Sequence, residues 1–381
     1  MDTPPAPGSH ITLWHSWNAD ELVALQTIIT SFQEMYPDVT FDVSFIPQDE
    51  LRGRYEAAVY NGRGPSLLLG PAEWGPAFSE SQLVTDLTPF TSPDFLADIN
   101  PAALGTGQYE GAIISLPFSQ RGVLLFRNTS IISESPATFA ELSAMAHAAS
   151  RGGRLGSYLD RGAFFSIGHL NGLGGSLTDS NGDPTFNDSF GVTWLQLMGD
   201  FDAAGAVGMN TNRDTELFMA GRLGFVMDGS WNIPAFVDAI GEENLAIDPW
   251  PAYAGGRLSG YVQAESVFLN PNVGGQNQYA ALLFMGYLLN PEVQRLLAEV
   301  GYIPSIITAQ PRNVHLQQAM TAFQDGTTYP SIADQRILSA YWTALETAIV
   351  DVYQRGVEPT VALQAAYEAV LLRLEEIRAS P

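Results

Sequence analysis

The stretch Gln108–Ser130, QYEGAIISLPFSQRGVLLFRNTS, decides how the rest of the chain is read. It opens with a polar, Gly-bearing turn and runs through apolar Ile113, Ile114 and Leu116 to a Pro-Phe-Ser kink at Pro117. A second apolar run, Val123 to Phe126, ends at Arg127-Asn128. Two strand-like runs joined by a short polar break suit a crossing from one packed body to another, where hinges sit and ligands are gripped. The flanking sequence has to decide between that and an ordinary hairpin.

Upstream, His10 to Trp14 alternates as a strand, and Leu22, Leu25, Ile28, Ile29, Phe32 and Met35 recur at helical spacing. Asn18 with Glu21 three residues on resembles a capping pair, and Pro37 stops the helix. Val39, Phe41, Val43 and Phe45 alternate as a second strand, a helix covers 48–60, and Pro65 to Leu69 reads as a short buried strand. This strand-helix order predicts a parallel sheet flanked by helices, whose ligands collect at the carboxyl ends of the strands. Those ends carry Trp14, His15, Trp17 and Asn18 on one loop and Glu73 with Trp74 on another.

Downstream, a helix is expected over 138–150, followed by a basic, Gly-rich connection from Arg151 to Arg161 and an aromatic segment from Ala163 to Leu170. Leu223 to Met227 reads as a strand running into Trp231, again a sheet-end aromatic. Glu265 to Leu269 reads as a returning strand, with helices over 276–289, 292–300, 337–352 and 360–377. Asp179, Asn181 and Asp183 imitate the first half of a calcium loop, but Pro184 stands where the loop requires Gly. A polar turn is the better reading, and neither a metal nor a cofactor is expected.

Composition narrows the function classes. The 381 residues, long for one core, include 17 Arg and no Lys against 41 acids, a net charge of −24. Such a field repels nucleic acid and anionic membrane surfaces but not a neutral or cationic small ligand. Without Cys there is no disulfide, thiolate metal site or Cys nucleophile. No apolar run approaches the roughly 18 residues that cross a bilayer. The leader, residues 1–10, reads as a flexible tether from which an export signal has been removed.

In this order the landmarks ITLWHSW, PSLLLGPAEW, the Gln108 stretch, FMAGRLGFVMDGSWNIPAF, NPEVQRLLAEVGYIPS and SAYWTALETAI resemble the extracellular solute-binding proteins of carbohydrate ABC importers, the maltose-binding-protein-like family. The resemblance covers the chain from Ile11 to Ile377. It implies a class II periplasmic-binding-protein-like α/β fold of two lobes, each a mainly parallel sheet flanked by helices, with a hinge between them. By analogy the first lobe holds 11–118 and 264–312, and the second 119–263 and 313–381. The solute is expected between the lobes, which close on it and deliver it to ABC permease subunits. The protein is expected to be an extracytoplasmic monomer, periplasmic or lipid-anchored.

What the resemblance implies for the site carries over residue by residue. The loop from Trp14 to Asn18 touches sugar hydroxyls in the family, and Glu73 matches an acid that does the same. Trp74 stands where an arginine is found, and Arg121 where an acid is found. Trp231 and Trp342 match aromatic platforms for sugar rings, and the family places a polar group and an aromatic near Asp160 and Phe164. Glu265 lies just after the second crossing. Physical chemistry agrees: sugars offer apolar ring faces to flat aromatics and a girdle of hydroxyls to planar polar side chains. The rivals are a binding protein for a polyamine, a glycerophosphate ester or an iron complex, an extracellular glycosidase, and a structural interaction module. No GxSxG, HExxH, P-loop or dinucleotide fingerprint appears, so a non-enzyme is expected.

Overall fold

A computed structural model describes residues 8–179 and 182–379. Most of the leader and Asn181 of the polar turn therefore lie outside the described residues. The chain forms two compact units. One is built from the chain up to Arg121 together with Gln263–Met320, the other from Gly122–Val262 together with Thr321 to the end.

In the first unit the strand His10–His15 lies between Thr40–Phe45 and Leu67–Pro71, parallel to both, and Glu265 to Leu269 adds an antiparallel strand beyond Leu67–Pro71. The helix Ala19–Met35 starts on the expected capping box, with Asn18 accepting from the backbone of Asp20 and Glu21 while Glu21 accepts from the backbone of Asn18. Its apolar stripe, Leu25, Ile28 and Phe32, is buried, and Phe32 meets Phe284 of the helix Gly275–Leu288 edge to face. Leu51 and Tyr55 of the helix Gln48–Tyr60 pack with Leu68, Phe78 and Phe268 into a second core.

The Gln108 stretch corrects the expectation of two runs broken at Pro117. Gln108 and Tyr109 pair with Ile113 and Ala112 as a tight hairpin turned by Glu110 and Gly111, both at positive φ. From Leu116 to Asn128 the chain is then one unbroken strand. Proline is tolerated near the start of a strand, where its missing N–H leaves no ladder bond unmade. Buried side chains take up the local carbonyls instead. Ser305 Oγ donates to Pro117 O at 2.6 Å, Gln294 Nε2 to Phe118 O at 2.6 Å, and Gln120 Nε2 to Pro304 O at 2.6 Å. The chain passes from one unit to the other inside this strand, and again inside Tyr261–Leu269.

In the second unit the strand Leu155–Asp160 is parallel to Ala206–Gly208 on one side and to Leu223–Gly229 on the other. The latter runs antiparallel to Val123–Arg127, with Leu245–Asp248 on the far edge. The segment from Arg151 to Arg161, expected to be a connection, is thus largely a central strand. Gly156 belongs there because a Cβ would lie 1.8 Å from Ala146 O, so only glycine lets the helix Phe139–Ala149 approach this closely. The helices Ser189–Ala204, Gln335–Arg355 and Pro359–Ala379 complete the core around Trp194, Phe201, Tyr341 and Leu345. Buried Arg127 closes on Asp248 with two nitrogens, at 2.7 and 3.0 Å.

Candidate functional site

In the first unit, the sequence-predicted residues divide into those that build the loop and those that carry charge. Trp14 and His15 lie within the first strand rather than after it. Trp14 packs against the core around Leu51 and Phe78. His15 is buried, and its Nδ1 accepts from the backbone N–H of Trp17 at 3.0 Å, which turns the loop. Burial lowers its pKa, so the ring is neutral at pH 7. Trp17 is buried between Phe118 and Tyr302, with centroids at 5.7 and 5.2 Å. Asn18 is committed to the helix cap. Trp74 covers Gly70, where a Cβ would lie 2.6 Å from the indole.

Glu73, Arg121 and Glu265 converge. The guanidinium of Arg121 reaches Glu73 Oε1 with Nη2 at 3.3 Å and Glu265 Oε1 with Nη1 at 3.1 Å. Glu73 is supplied by the short 3-10 turn after the strand Leu67–Pro71, and Glu265 by the neighbouring antiparallel strand, opposite Pro71. Burial pushes Glu265 up to about 7; Arg121 pulls it back, while Glu73 and Glu21 push it further up. Glu73 Oε2 and Arg121 Nε are buried without a partner. Tyr302, which sequence reasoning did not select, joins this group: burial and a hydrogen bond to Glu21 raise its hydroxyl. Its only sequence signal was its place in the Gly301-Tyr-Ile-Pro landmark.

In the second unit the predicted aromatics meet. Phe164 lies 6.1 Å from Trp231, 6.4 Å from Tyr261 and 6.1 Å from Tyr329. Trp342 lies 5.8 Å from Tyr261 and 6.4 Å from Tyr329. The five rings come from five separate elements or loops of the chain. Trp231 remains 50% exposed and is seated over Gly229, where a Cβ would come within 2.0 Å of the indole. Tyr261 is fully buried and its hydroxyl has no partner.

Asp160 does not face solvent. Fully buried, it accepts from the backbone N–H groups of Gly162 at 2.5 Å, Asn210 at 3.1 Å and Thr211 at 3.2 Å, fixing the turn that carries Phe164. Glu346, one helical turn beyond Trp342, accepts from the Ala163 backbone N–H at 2.8 Å and Asn210 Nδ2 at 3.0 Å. Sequence reasoning passed over Glu346; its i, i+4 spacing from Trp342 was the available signal.

Chemically, the first group offers hydrogen-bonding carboxylates around a neutralised cation, and the second offers ring faces. Among the described residues no cluster of His, Cys, Asp and Glu is arranged to hold a metal ion. Against this geometry, the family described as bacterial extracellular solute-binding protein matches residues 27–324. A maltotriose-binding protein of Pyrococcus abyssi is 26% identical over 317 residues, which are 77% of this chain and 66% of that protein. The chain thus spans just under two thirds of that relative's length. Among solved structures, the extracellular solute-binding protein from Staphylococcus aureus in complex with maltose superposes with a TM-score of 0.85 at 18% identity, over 99% of this chain and 100% of that one. The cyclic alpha-maltosyl-1,6-maltose binding protein from Arthrobacter globiformis gives 0.81 at 20% identity, over 97% and 100%. At these identities the structures establish the fold: a two-lobed, class II periplasmic-binding-protein-like α/β architecture.

Proposed function

The chain belongs to the bacterial extracellular solute-binding protein family, and we propose on that premise that it captures a neutral sugar or oligosaccharide for an ABC importer. The observation that carries this reading is the five-ring array of Phe164, Trp231, Tyr261, Tyr329 and Trp342, with Trp231 half exposed at its margin. Flat rings with few rotors suit the apolar face of a pyranose. Glu73, Arg121 and Glu265 supply donors and acceptors of the kind that hydroxyls need. Relatives named for maltotriose and maltose support an α-linked glucose oligomer as the first ligand to try. Membrane permease subunits are the proposed partners, the extracytoplasmic side of the membrane the proposed location, and a monomer the proposed state.

Calorimetric titration of a sugar panel, followed in parallel by tryptophan fluorescence, tests this. The expected result is micromolar affinity, roughly −8 kcal/mol, for at least one neutral saccharide. Stabilisation by a polyamine or a phosphodiester and by no carbohydrate sinks the reading. One observation favours a second reading, a glycosidase: Glu265 is raised to about 7 and shares a guanidinium with Glu73, as an acid and a carboxylate partner would. Release of nitrophenol from a nitrophenyl maltoside, abolished by Glu73→Gln, would replace binding with hydrolysis.

A further inference from the structure

We infer, on the carbohydrate reading above, that Arg121 sets the charge class of the solute. Held between Glu73 and Glu265, it acts as their counter-ion, so the site admits neutral and basic saccharides and excludes acidic ones.

The basic side chains among the predicted residues, and Arg161 beside Asp160, are already engaged inside the protein. Arg121 gives one terminal nitrogen to each of two carboxylates, at 3.3 and 3.1 Å. An acidic sugar is best received by a guanidinium with its two-pronged face free, since the bidentate fork is the source of both strength and orientation. Here that fork is divided between two internal partners. His15, the other basic side chain among the predicted residues of the first unit, is buried, neutral at pH 7 and committed through Nδ1 to the Trp17 backbone. In the second unit Arg161, next in sequence to Asp160, is buried and ion-paired. Its Nη2 lies 2.7 Å from Asp202, and its guanidinium sits over the Tyr353 ring at 5.1 Å.

The balance around Arg121 is negative. Glu73 and Glu265 touch it, and Glu21, hydrogen-bonded to Tyr302, adds its field to Glu265. Two carboxylates therefore share one guanidinium, with a third, Glu21, acting on Glu265. Glu265 is raised first by its burial, with Glu73 and Glu21 adding to the shift against the pull of Arg121, and the two acids that touch the guanidinium outnumber it. A sugar carboxylate entering here meets uncompensated like charge, a protonated amine meets the opposite, and a hydroxyl is indifferent.

Three matched ligands test this: maltotriose, its analogue oxidised at one terminal C6 to the uronate, and the corresponding 6-amino-6-deoxy compound. Calorimetry at pH 7.5 and low salt is expected to show the uronate at least tenfold weaker than maltotriose and the amine at least as tight. Glu73→Gln and Glu265→Gln each free part of the guanidinium and should narrow the gap between uronate and maltotriose severalfold. The wild-type protein at 0.5 M NaCl gives a reading independent of any variant's folding, because screening shrinks an electrostatic gap. A uronate within twofold of maltotriose overturns the inference. So does a gap unchanged by both substitutions, or one unchanged by salt, which would assign the discrimination to shape. Failure of all three ligands to bind overturns the carbohydrate reading itself and the inference with it.

Discussion

The two groups of candidate residues differ in the side chains they leave open to solvent. In the first unit the exposed chemistry is charged and the aromatics are inward: Trp17 is sealed between Phe118 and Tyr302, while Arg121 and its carboxylates keep partial access to solvent. In the second unit the aromatics are the outer chemistry and the charges are inward, with Asp160 saturated by backbone N–H groups and Trp231 half exposed. Trp17 in the first group and Asp160 in the second are thus among the buried members.

The largest effect should come from breaking the inward charge of the second unit. Asp160→Ala leaves the buried N–H of Gly162 and the part-buried N–H groups of Asn210 and Thr211 without their acceptor and releases the turn that carries Phe164. The expected loss is about 3–5 kcal/mol in urea unfolding. A loss below about 1 kcal/mol would mean that the turn holds without its anchor. Next come the rings. Trp231→Ala and Trp342→Ala should each weaken saccharide binding by at least ~1 kcal/mol, about fivefold, in calorimetric titration. Trp17→Phe should cost stability before affinity, because its ring is shared with Phe118 and Tyr302. Unchanged affinity in both second-unit variants would dissolve the contrast between the units.

Much of this contrast was legible in the sequence. Period-two and helical spacing located the strand-helix-strand start of the first unit, and the capping box at Asn18 and Glu21 formed as read. Glu73 and Trp74 were placed after a buried strand, where they stand. What failed did so for physical reasons. Leu155–Asp160 was hidden because its glycine looked like a loop breaker, when it serves close helix approach. Pro117 looked like a kink because the side chains that satisfy its strand, Gln294 and Ser305, lie far away in sequence. The helix Ser189–Ala204 went unassigned because it is apolar on most sides, with Trp194, Leu195, Leu197, Met198 and Phe201 all buried, and shows no clean stripe. Site residues that act by packing or capping, such as His15, Asn18 and Asp160, carry the same letters as ones that bind. Only their partners separate the two roles.

Asn18 sharpens that point at a smaller scale. Asn18→Ala removes the side chain that caps the helix Ala19–Met35 and should cost about 1 kcal/mol of stability. Saccharide affinity should stay within about twofold of wild type. A tenfold loss of affinity with unchanged melting temperature would instead place the amide on the solute.

The smallest effect separates the two units by their acids. Asp214 of the second unit is pushed up to about 7, first by burial and then by the neighbouring Asp160 and Asp228, against a hydrogen bond from the Thr215 backbone. Glu265 of the first unit reaches about 7 as well, but with Arg121 pulling it down. For either group the folded state holds a proton that the unfolded chain releases near pH 4. Its contribution to stability is therefore complete below about pH 4 and is lost as pH rises through 7. His169 works the other way: burial lowers it to about 4, so its contribution is present above 6.5 and is lost as pH falls through 4. A wild-type profile mixes these terms, but a substitution isolates one. Asp214→Asn abolishes its titration and should raise the melting temperature relative to wild type by about 2–4 °C more at pH 8 than at pH 5, the shift that roughly 1 kcal/mol produces in a domain of this size. Glu265→Gln should show a slightly smaller pH-dependent gain, because Glu265 rises to about 7 from 4.5 whereas Asp214 rises to about 7 from 3.8. A clearly larger gain for Glu265→Gln than for Asp214→Asn would place the more strongly raised acid in the first unit.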